Sequence, residues 1–308
     1  MTTHAESTDT TGRGRRAPAA PGEQRTGTRL TMWQHDGLTF EVSDLGPLTG
    51  EPVICLHGFP QDASAFDQVA GQLIENGKRV LIPNQRGYSA AARPLPAASY
   101  GLRHLASDVA ALLDAAGLDS AHVVGHDWGG AVAWALASRY GSRVRSLVIL
   151  STPHPAALRS ASSHSSQALR SAYIGFLQIP AVPERLLTAG GGAVLCRLLS
   201  LSGLDQGRAR HYANQMQQPG AATAALSWYR ALVRAEKCSP GLITAPTTFV
   251  VGRRDPFVSR TAVLRTADHI TGRYRLVGLD AGHWLPERAS ADVVAAVRHQ
   301  IIHTSGSR

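Results

Sequence analysis

Hydrophobic and polar positions alternate in two different ways along the chain after about residue 30. Short continuous apolar runs, such as residues 53–56 and 147–150, are typical of strands buried on both faces of a sheet. Between such runs, apolar residues recur at helical spacing, first from Phe66 to Ile74 and then from Leu102 to Ala116. This alternation predicts an α/β fold with a mostly parallel sheet flanked by helices. The runs that we interpret as strands are residues 38–42, 53–56, 80–82, 123–124, 147–150 and 247–251.

The rhythm of strands and helices stops after Thr152 and resumes only at Thr247. The intervening residues are rich in Ser and Ala, favour helices with breaks at Pro180, Pro183 and Gly190–Gly192, and include no run typical of a buried strand. We therefore predict a helical lid inserted after residues 147–150, counted as the sixth strand of the sheet although only four earlier runs are identified here, at the end of the sheet where α/β folds bind ligands. The predicted organisation is a disordered tail at residues 1–27, a first core part at 28–154, a helical cap at 155–240 and a second core part at 241–308.

Composition narrows the possible partners of the chain. The 308 residues carry a formal net charge of +9, but the basic residues are scattered, without a basic block or interleaved aromatic residues. We therefore expect neither a nucleic-acid partner nor a membrane partner. No run approaches the roughly 18 apolar residues that a membrane-spanning helix needs. Cys55, Cys196 and Cys238 fit neither a disulfide framework nor a zinc site, so the expected location is the reducing cytoplasm.

The most informative local pattern lies at residues 123–130. Two β-branched residues lead into a Gly-x-Asp-x-Gly motif centred on Asp127, and a helix of small residues follows. This arrangement is typical of a nucleophile elbow, a tight turn from strand to helix whose glycines allow the two backbones to approach closely. The usual nucleophile in such a turn is a serine. A carboxylate at this position instead predicts attack on an sp³ carbon and an alkyl ester of the enzyme, with Asp127 as the nucleophile.

Two further residues complete a candidate catalytic triad with Asp127. Asp255 follows the strand-like run at 247–251, and His283 lies in a loop before the last predicted helix. Each has an ordinary structural explanation when taken alone, because an Asp before Pro often forms an Asx turn and the chain contains 13 histidines. Together they follow the order nucleophile, acid, histidine that is typical of α/β-hydrolases, and each lies at a predicted strand end.

A fourth segment predicts an oxyanion hole. The His57–Pro60 turn directly follows the buried run at residues 53–56. A glycine-bearing turn at this place can present the backbone N–H of Phe59 beside that of Trp128, the residue after the nucleophile.

These motifs resemble the α/β-hydrolase superfamily, in particular the soluble epoxide hydrolases and the related haloalkane dehalogenases. The resemblance covers nearly everything after residue 28. Epoxide hydrolases are similar to one another in two lid tyrosines that donate hydrogen bonds to the epoxide oxygen. Tyr173 begins a stretch that matches their Tyr-x-x-x-Phe-Gln-x-Pro pattern with Leu177 in place of Phe, and Tyr229 lies in a matching Trp-Tyr-Arg stretch. The other matching segments are residues 57–60, 85–89 and 125–130.

The resemblance implies an epoxide hydrolase that converts an epoxide to a vicinal diol through a covalent ester. Its partners would be a small-molecule epoxide and water, without a metal or an organic cofactor. A phenol with a pKa of about 10 suits this reaction because it can protonate a strongly basic oxygen without being ionised at rest. The implied roles are nucleophile for Asp127, base for His283, orienting acid for Asp255, substrate-binding proton donors for Tyr173 and Tyr229, oxyanion hole for Phe59 and Trp128, and substrate binding for Trp128.

Two alternatives stay open. A haloalkane dehalogenase would use the same carboxylate, but Phe59 stands where such enzymes often present an Asn that binds the halide. The fluoroacetate dehalogenases have arginines at the positions of Trp128 and Ala131. The fold also serves as a non-catalytic ligand receptor, although receptors tend to lose pieces of the machinery that are all present here. The pattern leaves the particular epoxide and the oligomeric state open.

Overall fold

A computed structural model describes Met1 and residues 28–163, 165–234 and 240–305. Apart from Met1, the predicted tail lies outside the described residues, as does Cys238. Eight strands form one sheet in the order β1-β2-β4-β3-β5-β6-β7-β8. Pairing is antiparallel between β1 and β2 and between β2 and β4, and parallel across the rest of the sheet. The strands are β1 (Met32–His35), β2 (Leu38–Leu45), β3 (Glu51–Leu56), β4 (Lys78–Pro83), β5 (Ala121–His126), β6 (Val144–Leu150), β7 (Thr247–Gly252) and β8 (Tyr274–Leu279).

Helices cover both faces of the sheet because successive strand residues point to opposite sides. Ile54 and Leu56 belong to the core cluster that includes α2 and α3, whereas Val53 and Cys55 belong to the cluster that includes α1 and α12. The apolar run at residues 53–56 is thus buried on both faces, as predicted. The helices are α1 (Asp67–Glu75), α2 (Leu102–Ala115), α3 (Trp128–Arg139), α4 (Pro155–Ser162), α5 (Gln167–Arg170), α6 (Tyr173–Leu177), α7 (Val182–Leu201), α8 (Gln206–Gln215), α9 (Ala221–Arg234), α10 (Arg260–Arg265), α11 (Leu285–Arg288) and α12 (Ser290–Ser305).

Six of these helices, α4 to α9, lie between the neighbouring strands β6 and β7, and we call them the insertion. This confirms the prediction of a helical insert after the sixth strand. Pro183 was expected to break a helix, but it lies in the first turn of α7, where a missing backbone N–H leaves no hydrogen bond unmade. Residues 189–192 do interrupt α7 with non-helical backbone angles, in agreement with the expected break.

The runs interpreted as strands from the hydrophobic pattern include neither β8 nor strand β1, which lies at one edge of the sheet. It pairs with β2 through a two-residue turn in which Asp36 and Gly37 both have positive φ angles. An Asp-Gly pair is a strong hairpin signal, so this strand could have been found from the turn rather than from its mixed polar sequence. None of the helices in the described part of the chain is long and apolar enough to span a membrane.

Candidate active site

Asp127 occupies the turn between β5 and α3, with a φ of 50° and a ψ of −122°. The turn is tight: a Cβ atom built on Gly125 would lie 2.4 Å from the carbonyl oxygen of Gly129. A Cβ on Gly129 would lie 2.1 Å from the carbonyl oxygen of Leu56 on the neighbouring strand β3. Both glycines are therefore required by close backbone approach, as the sequence motif predicted. The positive φ of Asp127 is backbone strain of the kind that concentrates at functional sites.

Hydrogen bonds to its backbone hold this strained residue in place. The N–H of Asp127 donates to the carbonyl of Leu150 at 3.2 Å, on the adjacent strand β6. The carbonyl of Asp127 accepts from the N–H of Gly130 at 2.9 Å and from the hydroxyl of Thr152 at 2.7 Å. The position of the side chain thus follows from sheet register and from the start of α3.

The carboxylate of Asp127 has two distinct oxygens. Oδ1 accepts a hydrogen bond from the backbone N–H of Phe59 at 2.9 Å, and Oδ2 lies 3.7 Å from Nε2 of His283. Burial alone would raise the pKa of Asp127, but the contacts with His283 outweigh it and lower the pKa below the ordinary value. The carboxyl is therefore ionised, and Oδ2 is the oxygen that no backbone donor holds in the described structure.

His283 is held between two carboxylates. Its Nδ1 lies 2.8 Å from Oδ2 of Asp255, which comes from the loop after β7, whereas His283 itself follows β8. The other oxygen of Asp255 accepts from the N–H of Phe257 at 2.8 Å. Burial would lower the pKa of His283, but the negative charges of Asp255 and Asp127 raise it to about 10. The imidazole is therefore protonated at neutral pH while Asp127 is ionised.

The two tyrosines approach the carboxylate from the insertion. Tyr229 on α9 is only 3% exposed, and its ring packs edge-on against Trp128 and Phe59 at centroid distances of 5.0 and 5.3 Å. Tyr173 begins α6, and its ring centroid lies 6.0 Å from that of Tyr229. Desolvation and the nearby charge of Asp127 raise the pKa of both hydroxyls, although 39% of Tyr173 remains exposed. Both phenols are therefore protonated and able to donate.

Two polar side chains that sequence reasoning did not single out join the segments bearing the tyrosines. The amide of Gln178 donates to the backbone carbonyl of Tyr229 at 2.9 Å. The guanidinium of Arg230 donates to the carbonyls of Leu177 and Ile179 at 3.2 and 2.9 Å and pairs with Glu184. Both residues stand inside the tyrosine motifs, so the signal was present. Their role is to hold α6 against α9.

Trp128 is the first residue of α3, and its backbone N–H belongs to the helical turn whose N–H groups have no partner within the helix. With the N–H of Phe59, it gives the site two backbone donors next to the carboxylate of Asp127. The structure thus brings all seven predicted site residues into one contiguous group. Within the described residues, no cluster of three or more His, Cys, Asp or Glu side chains is arranged to hold a metal ion.

Comparisons with known proteins agree with this architecture. The model of the alpha/beta hydrolase fold family matches residues 51–289. An AB hydrolase superfamily protein of Bacillus subtilis, YfhM, is 32% identical over 275 residues, which cover 87% of this chain and 96% of that protein. Epoxide hydrolase A of Mycobacterium tuberculosis is 31% identical and covers 85% of this chain and 94% of its own length. The crystal structure of epoxide hydrolase A from Mycobacterium thermoresistibile superposes with a TM-score of 0.75 at 25% identity, over 89% of this chain and 98% of that one.

Proposed function

Because the chain belongs to the α/β-hydrolase fold family, and because its elbow carries an aspartate that faces two tyrosines, we propose that it is an epoxide hydrolase. The observation that carries the proposal is the position of two phenols next to the carboxylate of Asp127. Tyr229 packs against Phe59 and Trp128, the two residues that border the carboxylate, and Tyr173 packs against Tyr229. A carboxylate that attacks carbon and a donor that protonates a departing alkoxide are what ring opening of an epoxide requires. The similarity to epoxide hydrolase A of Mycobacterium tuberculosis supports the same assignment.

In the first step, Oδ2 of Asp127 attacks one ring carbon and the bond between that carbon and the epoxide oxygen breaks. The oxygen keeps the bonding electrons and takes a proton from Tyr173 or Tyr229. The attacking atom is Oδ2 because Oδ1 is held by the N–H of Phe59 and becomes the carbonyl oxygen of the ester. Charge balances when His283 gives up its proton to restore the tyrosine. Of the two negative charges that kept His283 protonated, those of Asp255 and Asp127, formation of the ester removes the second.

In the second step, neutral His283 accepts a proton from water, and the resulting hydroxide attacks the carboxyl carbon of the ester. Asp255 stabilises the imidazolium that forms, through its contact of 2.8 Å with Nδ1. The oxyanion of the tetrahedral intermediate forms at Oδ1, beside the N–H groups of Phe59 and Trp128. The intermediate then collapses: the bond between the carboxyl carbon and the oxygen that was Oδ2 breaks, and that oxygen leaves in the diol after taking the remaining proton of the attacking water. Asp127 is again an ionised carboxylate, now with one oxygen from water, and His283 is again protonated.

The proposal extends to the organisation of the chain. We assign residues 155–240 to a cap that bears the tyrosines and residues 28–154 and 241–308 to the core that bears the triad, which is Asp127, His283 and Asp255. Water and an epoxide are the only reactants that the two steps use. We expect the protein to act in the cytoplasm without a nucleic-acid partner, as its cysteines and scattered charges predict.

The test is diol formation combined with the source of the new oxygen. A panel of terminal, trans-disubstituted and aryl epoxides, with halogenated analogues in parallel, should give diol far faster than halide. One turnover in heavy-oxygen water should yield diol that carries light oxygen from Asp127. The matched control is enzyme that has first turned over substrate in heavy-oxygen water and is then returned to ordinary water. Its first diol should carry heavy oxygen, taken from the labelled carboxylate of Asp127. Heavy oxygen in the first-turnover diol of fresh enzyme would show direct attack by water and would overturn the role of Asp127.

A further inference from the structure

Glu287 is a buried carboxyl that the two proposed steps do not use. It lies on α11, four residues after His283. Its Oε1 accepts hydrogen bonds from the amide of Gln61 at 2.7 Å and from the hydroxyl of Tyr212 at 3.0 Å. Its Oε2 is buried and has no hydrogen-bond partner within the described part of the chain. A buried oxygen that lacks a partner is costly, so the position of this carboxyl calls for a reason beyond packing.

One end of this group of contacts reaches the base itself. The carbonyl of the Gln61 side chain accepts from the N–H of Gly58 at 2.8 Å and lies 2.8 Å from Nδ1 of His126. Nε2 of His126 lies 2.9 Å from the backbone carbonyl of His283. The same carbonyl accepts from the hydroxyl of Ser151 at 3.2 Å. A continuous series of short polar contacts therefore joins the Glu287 carboxyl to the backbone of the residue that activates water. Burial lowers the pKa of His126 to about 4, so its neutral ring donates a hydrogen bond in only one of its two contacts.

The other end reaches the insertion. Tyr212 lies on α8 and is fully buried, and its hydroxyl is the group that meets Glu287. A second contact runs in parallel, because the indole N–H of Trp284 donates to the hydroxyl of Ser202, just after α7, at 3.0 Å. The loop and short helix at residues 283–287 are thus tied to the insertion at two residues, Trp284 and Glu287. We call residues 283–287 the base loop.

The protonation state of Glu287 explains why its two hydrogen bonds can persist through the reaction. Burial raises the pKa of Glu287, which favours the neutral carboxylic acid. Gln61 and Tyr212 are both neutral donors, so the contacts of Oε1 do not depend on an ion pair. A neutral Glu287 carboxyl therefore keeps its hydrogen bonds while the charges of Asp127 and His283 change during the reaction.

We propose that Glu287 is a positioning residue that couples helix α8 of the insertion to the base loop. Through this coupling, the packing of the insertion against the core fixes the position of His283 for hydrolysis of the ester. This inference rests on the proposed function for its kinetic consequence. Ring opening relies on Asp127 and the tyrosines and does not need His283 as a base. A change at Glu287 should therefore slow the second step and leave the first step nearly unchanged.

Three variants and one matched control test the coupling. Glu287→Leu removes both contacts, Tyr212→Phe removes only the hydroxyl on the insertion side, and Glu287→Gln keeps a neutral oxygen that can accept both hydrogen bonds. Tyr100→Phe is the control, because its buried hydroxyl also donates a hydrogen bond, to the carbonyl of Pro94 at 2.9 Å, away from the base loop. Tyr212→Phe changes one atom, so it keeps the test valid if Glu287→Leu does not fold.

The first measurement is hydrogen–deuterium exchange of the base loop in the protein without substrate. Tyr212→Phe and Glu287→Leu should speed exchange of the peptide that covers residues 283–289, whereas Glu287→Gln and Tyr100→Phe should not. Exchange reports local opening and needs no catalytic turnover. Unchanged exchange in a folded Tyr212→Phe protein overturns the coupling, whether or not the protein opens epoxides.

The second measurement separates the two chemical steps by single-turnover kinetics with intact-mass detection of the ester. In Tyr212→Phe and Glu287→Leu, ester hydrolysis should slow by about 2- to 30-fold relative to ring opening, the range typical of residues that modulate coupling. The ratio in Glu287→Gln and Tyr100→Phe should stay near that of the unmodified protein. Equal slowing of both steps would mean general destabilisation and overturns the inference. If the unmodified protein opens no epoxide, the proposed function fails, and exchange still decides the coupling.

Discussion

Asp127 belongs to the sheet and Tyr173 to the insertion, and different forces fix the two side chains. The backbone of Asp127 is held by the register of β6, by the start of α3 and by glycines that permit close contact. Tyr173 begins the five-residue helix α6, which is held by side-chain hydrogen bonds from Gln178 and Arg230. The nucleophile is therefore placed by local backbone geometry, whereas the proton donor is placed by tertiary contacts. A rigid nucleophile and a separately held acid allow substrate preference to change without disturbing Asp127.

Removing both phenols should give the largest effect and tests the insertion side alone. Tyr173→Phe and Tyr229→Phe each remove one donor to the developing alkoxide, and the loss of one such donor typically costs on the order of 10²–10³ in rate. The double variant should lose up to about 10⁶ in epoxide opening, because a carboxylate cannot expel an unprotonated alkoxide at a useful rate. Diol formation and halide release measured side by side check this.

Any release of halide should suffer much less in the double variant, since a halide departs without a proton. If the double variant opens epoxides at the rate of the unmodified protein, the two tyrosines serve only in the packing of the insertion. The epoxide hydrolase assignment would then lose its main support.

The corresponding change on the sheet side should separate the two steps rather than abolish both. His283→Gln removes the base, and general base catalysis contributes on the order of 10²–10⁴ in rate, so hydrolysis of the ester should slow by that factor. Ring opening should persist, and intact-mass spectrometry should detect an adduct of substrate mass. Asp127→Ala is the control and should form no adduct. An unmodified His283→Gln protein that also forms no diol would argue against the assigned base.

A smaller effect should follow from loosening the insertion without touching a reacting group. Gln178→Leu leaves the carbonyl of Tyr229 without the amide donor that lies 2.9 Å away. The loss of one such hydrogen bond costs about 0.5–1.5 kcal/mol, so Tm should fall and kcat should drop by about 2- to 10-fold. Gln72→Leu on α1 is the matched control, because that amide donates to Gln68 in its own helix at 3.2 Å and to Ser290 of α12 at 3.5 Å, and neither partner belongs to the insertion. A kcat equal to that of the control would mean that other contacts suffice to place the tyrosines.

A change of pH should have the smallest effect of all on the rate of ring opening. The pKa of Asp127 lies below its ordinary value and that of His283 is about 10, so both keep the same charge across neutral pH. Single-turnover ring opening should therefore be nearly flat from about pH 5 to about pH 9. Because the pKa of His283 is raised in the folded protein, its ion pairs stabilise the fold below the unfolded pKa of about 6.5, and this contribution is lost as pH rises through about 10. An acid limb near the ordinary histidine pKa would show that ring opening needs neutral His283.

The comparison between the two regions also explains what the sequence could predict. Asp127, Asp255 and His283 follow strands, and the succession of strands along the chain can be deduced from hydrophobic pattern and turn chemistry. The tyrosines were found through a family resemblance, since nothing in the local pattern of α6 points toward the sheet. The sheet edge was predicted less well, because β1 mixes polar and apolar residues and is defined by its pairing with β2.

The pattern of hydrophobic and polar residues could not predict contacts between side chains that are far apart in the sequence. The Gln61 amide and the Glu287 carboxyl are 226 positions apart, and the Gln178 amide meets a carbonyl 51 positions away. Neither pair has a periodic or spacing signature, because a hydrogen bond between two side chains depends on the completed fold. Such residues become visible only when the packing of the insertion against the core is known.

The place where the insertion joins the sheet has an evolutionary consequence. Strands β6 and β7 are parallel neighbours, so the chain between them is a single crossover connection, which in most α/β units is one helix. Lengthening a crossover leaves the strand order and register intact, so this segment can be exchanged between lineages as a module. New substrate ranges can therefore arise by recombination at this one connection. The inherited nucleophile remains in place, and the base does so where the new segment keeps the hydrogen bond from Tyr212 to Glu287.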